Sequence, residues 1–425
     1  MIDIDKLISG IDFKDIYCTD EAASLQAARY EAAIRKFAEL FPEDYSHENA
    51  SLMIFSAPGR TEIGGNHTDH QHGEVLAASI NKDAIAIALP AADGQISVFA
   101  EGFEPVNMSI SDLGIKEDEK ETTAALVRGV VAGLSGNGHK IGAFKAYITS
   151  DVLIGAGLSS SAAFETLIGT IISGMYNDGN ISAEEIAKIG QYAENVYFGK
   201  PCGLMDQMAC SVGSLVHIDF NDTAAPVTEK VEFDFEQAGY CLCITDTKGS
   251  HADLTAEYAA IPSEMKEIAA LLGHEVLRPV SLEDILSDIG ELRSRAGDRA
   301  VLRALHFVGE TARAAKEAEA LKANDLPLFL KLLRQSGNSS FKYLQNVSPS
   351  GSIREQNVAL ALAVSDSVLG DDEPSRVHGG GFAGTIQAFV RKENAAAYKA
   401  TMDKVFGEGS CEILSIRKYG GIRIR

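Results

Sequence analysis

From residue 20 to 42, Ala, Leu, Tyr and Phe recur at helical spacing, and the pattern breaks over Pro42 to Asn49 before an apolar run at Ser51 to Ala57. Short β-like runs follow at Val75 to Ile80, Ala84 to Leu89 and Gln95 to Ala100, and an alternating run at Ala143 to Thr149 leads to a glycine-rich turn. Two helices are predicted next. Phe164, Leu167, Ile168, Ile171, Ile172 and Met175 share one buried helical face. Ser182 and Glu185 make a capping box for a second helix through Ile186, Ile189, Ala193 and Val196, which stops near Gly199-Lys200-Pro201. Beyond about residue 225 a strand at Gly239 to Thr245 precedes long helical patterns over Ala256 to Leu272, Leu282 to Lys322, Pro327 to Leu344 and Ile353 to Val364. Strand (Thr385 to Val390), helix (Lys392 to Val405) and strand (Glu412 to Ile416) follow. The expectation is an α+β chain of two domains, a mixed-sheet domain over residues 1–225 and a helix-rich one over 226–425.

Charge narrows the class of partner. The 425 residues carry 38 Lys and Arg against 60 Asp and Glu, a net charge of −22 with no local basic patch, which argues against nucleic acid or an anionic membrane as partner. The hydrophobic fraction of 45% and charged fraction of 23% are those of a soluble globular protein. Six scattered cysteines without a C-x-x-C pair, no signal-peptide pattern and no long apolar stretch predict a reduced, cytoplasmic chain. Tryptophan is absent, so no site rests on an indole ring.

Four segments carry candidate chemistry. Gly155-Ala156-Gly157-Leu158-Ser159-Ser160-Ser161 opens a helix, where close backbone approach, unpaired N–H groups and the helix dipole suit a phosphate. It is not a Walker A loop, because no lysine follows the last glycine, and a plain strand-to-helix turn is the alternative. Ala57 to Gly73 packs Arg60, Asn66, His67, Asp69, His70 and His72 between two strands, a density that suits a small polar ligand such as a sugar. Its three histidines also admit a weak metal reading, or simple exposure. Ser375 to Thr385, including the glycine-rich loop 378–384 with Gly380 and Gly381, runs from loop into strand, the wrong order for a dinucleotide fingerprint. Asp206, in an apolar stretch after Glu194, needs either a cationic partner or a helix-capping role.

In this order and spacing the four segments resemble the GHMP small-molecule kinase superfamily and, within it, the galactokinase family: a G-R-x-N-x-I-G-E-H-T-D-Y-like stretch, a G-L-S-S-S-A loop, an M-P-C-G-I-M-D-Q-like stretch at Lys200 to Gln207 and a G-G-G-F-like loop. Weaker echoes at Leu277-Arg278 and at Arg303, His306 and Glu310 extend the match. The resemblance implies a two-domain GHMP kinase fold with its active site between the domains, and an ATP-dependent sugar 1-kinase, galactose being the first candidate acceptor. It puts Asp206 on the catalytic aspartate and Arg60 on its partner, a pairing that commonly lowers such a pKa by about 1–3 units. It puts Gly155, Gly157, Leu158, Ser159, Ser160, Ser161, Gly380 and Gly381 at the nucleotide, and Ser161 and Glu194 at Mg2+. Asn66, His67, Asp69 and Tyr258 fall on sugar-contacting positions. The implied partners are a free sugar and ATP, with a monomer or weak dimer as the assembly.

Departures from the family pattern point to a divergent branch. The signature glutamate is Asn66, its tyrosine is His70, and its first asparagine is Glu62. Thr123 and Leu126 replace the aromatic pair ahead of the nucleotide site, and the basic cluster near Tyr258 is thinned to Lys248. Adenine must then pack on aliphatic groups, or another base is used. Related acceptors (N-acetylgalactosamine, arabinose or another hexose), a catalytically silent sugar- and nucleotide-binding regulator, and a histidine-based metal hydrolase are the competing readings.

Overall fold

The polar interruption Asn81-Lys82-Asp83 predicts a break between two strands, yet β2 (Glu74–Pro90) runs through it as one strand of 17 residues in the computed structural model, which describes residues 4–46, 52–153, 157–250 and 254–425. The strand continues because Asp83 is neutralised where it lies. Fully buried, it meets Arg29 at 2.7 Å and the equally buried Arg417 at 2.8 Å, and accepts from Tyr17 at 2.6 Å. A buried charge is tolerated when paired and hydrogen-bonded in this way. The length lets β2 serve two partners on one edge, β5 (Phe144–Ser150) along Ala84 to Pro90 and β6 (Leu215–Asp219) along Glu74 to Ala78.

On the other edge of β2 lies β1 (Met53–Gly64), with register shifts at Pro58/Arg60 and Glu62/Gly64. β3 (Gln95–Ala100) and β4 (Val106–Ser109) extend the sheet beyond β5, β7 (Val227–Val231) pairs with β6, and β12 (Ile422–Arg423) pairs with β1. A second, antiparallel sheet has the order β11 (Cys411–Leu414), β8 (Tyr240–Asp246), β10 (Thr385–Arg391) and β9 (Ser375–His378). The chain therefore passes residue 225 inside a hairpin of the larger sheet, changes sheet between β7 and β8, and returns with β12. One apolar cluster spans both sheets, joining Ile63, Leu76 and Leu158 to Phe235, Leu242 and Phe389.

Helices differ from expectation where local chemistry overrides pattern. Pro42 begins a short helix, Pro42–Ser46, since its fixed φ suits a first helical turn. Ser182 caps the helix Ala183–Tyr192, but Glu185 turns away to His139 at 2.8 Å, so the reciprocal half of the capping box is not made. The segment Leu282 to Lys322 divides into Leu282–Ser287 and Ile289–Lys322, the latter interrupted by Gly297 at φ +84. The helix expected at Ile353 runs from Asn357 to Val368. An additional helix, Thr123–Gly136, is buried against Leu167 and Ile171 of the helix Ser160–Tyr176 and against Ile186 and Ile189 of Ala183–Tyr192. Among the described residues no helix is long and apolar enough to cross a membrane.

Candidate active site

The register shift in β1 leaves Gly59 without a partner in the ladder, and the next residue, Arg60, opposite Ser79, meets the loop 157–161. Gly59 makes the approach possible, since a Cβ there would meet Leu158 O at 2.8 Å, and Arg60 N donates to that same carbonyl at 3.0 Å. The Arg60 guanidinium then grips Asp206 through two parallel hydrogen bonds, Nε to Oδ1 at 2.6 Å and Nη2 to Oδ2, while Nη1 donates to Gly157 O. Ser159 Oγ donates to Asp206 Oδ2 at 2.7 Å. Burial by itself would raise the Asp206 pKa, but the Arg60 charge and these hydrogen bonds outweigh it and hold the carboxyl below its usual value. Asp206 stands in the first turn of the helix Met205–Val212, whose N-cap is Leu204, so its side chain is not a cap.

Ser159 precedes the helix Ser160–Tyr176 with φ +58 and does not cap it, because its hydroxyl is spent on Asp206. The first N–H groups of that helix are left for an anion, as a phosphate site requires. Leu158 is buried, Gly157 has φ +68, and Ser160 and Ser161 begin the helix; Gly155 lies outside the described residues. In this first turn, Ser161 Oγ donates to Glu194 Oε1 at 3.3 Å, and Lys200 Nζ reaches the same oxygen at 3.3 Å. Glu194 is turned inward by a π-helical turn, Ala193–Phe198. Two residues that sequence reasoning passed over complete this corner: Gln207 Nε2 donates to Glu194 Oε2 at 2.8 Å and to Glu165 Oε2 at 3.0 Å. Glu165 is fully buried, and burial together with the nearby Glu194 raises its pKa well above the ordinary value. The signal was a lone acid four residues after Ser161 in an apolar helix.

The sugar-loop candidates gather next to this corner. Gly203 faces Asp69, and a Cβ on it would lie 2.6 Å from Asp69 Oδ2, so the carboxylate stands there only because residue 203 has no side chain. His67, at φ +59, donates from Nε2 to Gly380 O at 3.2 Å, and Tyr258 OH donates to Gly381 O at 3.0 Å. Gly380 and Gly381 thus lie beside the sugar loop, with Tyr258 and Asn346 filling the space their missing side chains leave. The same glycine loop starts at the phosphate side, where His378 faces Gly157, bonds Thr61 at 3.1 Å and Thr385 at 2.8 Å, and is driven by burial to a pKa of about 3. Neither ring nitrogen of His70 has a hydrogen-bond partner among the described residues, and burial lowers its pKa to about 4.

Asn66 differs from its neighbours. It is fully buried, and its amide is used up: Nδ2 donates to Glu62 Oε1 at 3.0 Å and Gly379 O at 2.8 Å, while Oδ1 accepts from Asn346 at 2.9 Å and Ser340 at 3.3 Å. Glu62 in turn pairs with the buried Arg376 at 2.6 Å. Acid and amide have traded places relative to the signature that this loop resembles, and both are buried. A cavity of about 540 Å3 opens elsewhere, between Lys14, Cys18, Phe233, Phe235, Leu414 and Lys418, and none of the candidate site residues lines it.

Comparison with known proteins matches this arrangement at three levels. Residues 125–214 match the model described as GHMP kinases N terminal domain, and residues 39–90 match the galactokinase galactose-binding signature. The chain is 29% identical over 380 residues to a galactokinase of Streptomyces coelicolor, covering 88% of this chain and 94% of that one. It is 31% identical over 340 residues to a galactokinase of Thermotoga petrophila, covering 80% and 90%. The fold matches the crystal structure of Lactococcus lactis galactokinase complexed with galactose, with TM-score 0.75 and 24% identity over 92% of this chain and 99% of that one. It also matches a Methanococcus jannaschii mevalonate kinase, with TM-score 0.60 and 15% identity over 86% and 98%. The reciprocal grip of Arg60 on Asp206, set between a helix-opening phosphate loop and a polar sugar loop, is carried by a chain that belongs to the galactokinase family of GHMP kinases.

Proposed function

We propose that this protein transfers the γ-phosphoryl group of ATP to the anomeric hydroxyl of galactose, at the site between the phosphate loop 157–161 and the sugar loop 65–72. The carrying observation is Asp206, held ionised by Arg60 and oriented by Ser159 at the mouth of the phosphate loop. The anomeric oxygen forms the new P–O bond, the bond from the γ-phosphorus to the bridging oxygen breaks, and ADP leaves. Asp206 accepts the hydroxyl proton. Because such a transfer passes through a loose transition state that asks little of a base, orienting that hydroxyl is as large a part of its work as proton acceptance. Arg60, bonded to both Asp206 and Gly157 O, keeps base and phosphate loop in register.

A divalent cation fits the corner beyond. Ser161 and Glu194 offer a hydroxyl and a carboxylate within 3.3 Å of one another, hard oxygen donors of the kind Mg2+ takes alongside phosphates. Bound there, the ion would neutralise phosphate charge. His67, Asp69 and Tyr258 are the side chains we assign to the acceptor, and the six unpaired cysteines suit a reducing cytoplasm. A monomer or weak dimer is the assembly we expect.

The experiment is ADP release from Mg-ATP with a panel of free sugars; no sugar-dependent ADP from any hexose, amino-hexose or pentose overturns the reading. A related acceptor, such as N-acetylgalactosamine or arabinose, is favoured by one observation: with the Asn66 amide fully engaged, the hydroxyl that the family's glutamate would meet has no polar partner from that position.

A further inference from the structure

The backbone that delivers His67 and Asp69 to this site turns at Gly65, where φ is +86 and a Cβ would lie 2.4 Å from Glu74 O. After that turn the N–H groups of Gly65 and Asn66 point the same way, into the protein. Both are collected by one oxygen, Glu310 Oε1, at 3.2 and 3.4 Å, and the carbonyl of Asn66 accepts from His306 Nε2 at 2.9 Å. Glu310 and His306 lie one turn apart on the helix Ile289–Lys322 and are fully buried. Two consecutive backbone N–H groups on a carboxylate form an anion nest, here occupied by a side chain of the same chain.

The grip is itself braced. Ser336 Oγ donates to Glu310 Oε1 at 2.5 Å and Arg313 to Oε2, and Ser339 Oγ bonds His306 Nδ1 at 2.9 Å. A carbonyl can only accept, so Nε2 carries the proton and Nδ1 takes the serine's. Burial opposes the charge on Glu310, but the positive groups around it, Arg313 and Arg376 among them, hold its pKa below the ordinary value. Among the described residues, no hydrogen bond of this brace reaches the phosphate loop.

We propose that Glu310 and His306 are positioning residues for the acceptor sugar, fixing the Gly65-Asn66 backbone and through it His67 and Asp69. The proposal rests on the reading of this loop as the acceptor site. If the helix were only packed against the loop, losing these bonds would lower stability without discriminating between the two substrates.

The test is made on the full chain with Glu310→Gln, which keeps the shape but presents an N–H where an acceptor is needed, and with His306→Leu beside His306→Gln, which keeps a donor. Two readouts are taken: amide hydrogen exchange of peptides spanning residues 60–72, and KM for galactose against KM for ATP. Glu310→Gln is expected to speed exchange at Gly65 and Asn66 by about tenfold and to raise the galactose KM by about tenfold, the effect of one lost charge-assisted hydrogen bond, with the ATP KM unchanged. His306→Gln is expected to recover part of what His306→Leu loses. Should Glu310→Gln fail to fold, Ser336→Ala removes one brace and is expected to show the same pattern at about threefold. Unchanged exchange in a folded variant overturns the proposal, as does an equal rise in both KM values. A parent protein that turns over no sugar defeats the functional reading instead, and the exchange result still decides whether Glu310 fixes the loop.

Discussion

Replacing Asp206 by Asn tests the reaction at its centre, because the change keeps shape and removes only charge and one acceptor. The carboxylate accepts from Arg60 Nε at 2.6 Å on Oδ1, and from Arg60 Nη2 and Ser159 (2.7 Å) on Oδ2; an amide can keep the first, loses the second and must reverse the third. Loss of a positioned proton acceptor lowers rates by about 10²–10⁴-fold, or about 3–5 kcal/mol of barrier. Stability is affected less. Stripping the partner from a buried ion pair takes about 3–5 kcal/mol, but the Asp206 side chain keeps 29% of its exposure, so water compensates part of the loss and about 1–3 kcal/mol is expected. For a chain of this length that is a fall in Tm of only about 1–4 °C. The assay is kcat from coupled ADP release at saturating galactose, with ATP affinity by calorimetry and Tm alongside. The expected outcome is a large loss of turnover in a folded protein that binds ATP normally. Turnover within about tenfold of the parent, or ATP affinity lost in proportion to rate, would refute the assignment.

Three further outcomes are expected. Gly203→Ala places a methyl 2.6 Å from Asp69 Oδ2 and should raise the galactose KM by about tenfold with the ATP KM untouched, which two substrate titrations check. Glu194→Gln should raise the Mg2+ concentration for half-maximal rate by about tenfold, read from a metal titration at fixed ATP. His378 has a pKa of about 3 against an ordinary 6.5, so between those values the unfolded chain binds a proton that the folded one refuses, and stability falls as the pH falls. From neutral pH to pH 5 this contributes about 2 kcal/mol, and urea midpoints for His378→Gln should show that much less pH dependence than the parent.

Loops whose chemistry is local were readable in the chain. Arg60, Asp206 and the serines of 159–161 are brought together because each sits on a segment whose glycines or helix-opening turn already mark it. The pairing of Glu62 with Arg376, the bracing by Glu310 and His306 and the sharing of Gln207 between two carboxylates were not readable, since each joins residues far apart in sequence through a buried contact with no period. The helix Thr123–Gly136 escaped for a different reason. Buried along most of its length, with Gly129 and Gly133 giving close approach to Ala193 and Ile189, it shows no polar face to set a 3.6-residue rhythm. Asp83 misled in the opposite sense, a polar residue that reads as a break and acts as a pin.

That pin has a consequence for synthesis. Asp83 is neutralised by Arg417, and the free edge of β1 is covered by residues 422–423, with Phe55 opposite Arg423. A ribosome making this chain releases β1 and β2 more than 300 residues before their last partners exist. Until residues 417–423 emerge, the first sheet carries a half-paired buried acid and an open strand edge, so it cannot close domain by domain as the chain grows. Such an edge is a template for pairing with another chain, and a nascent or truncated protein lacking residues 417–423 is therefore expected to need a chaperone.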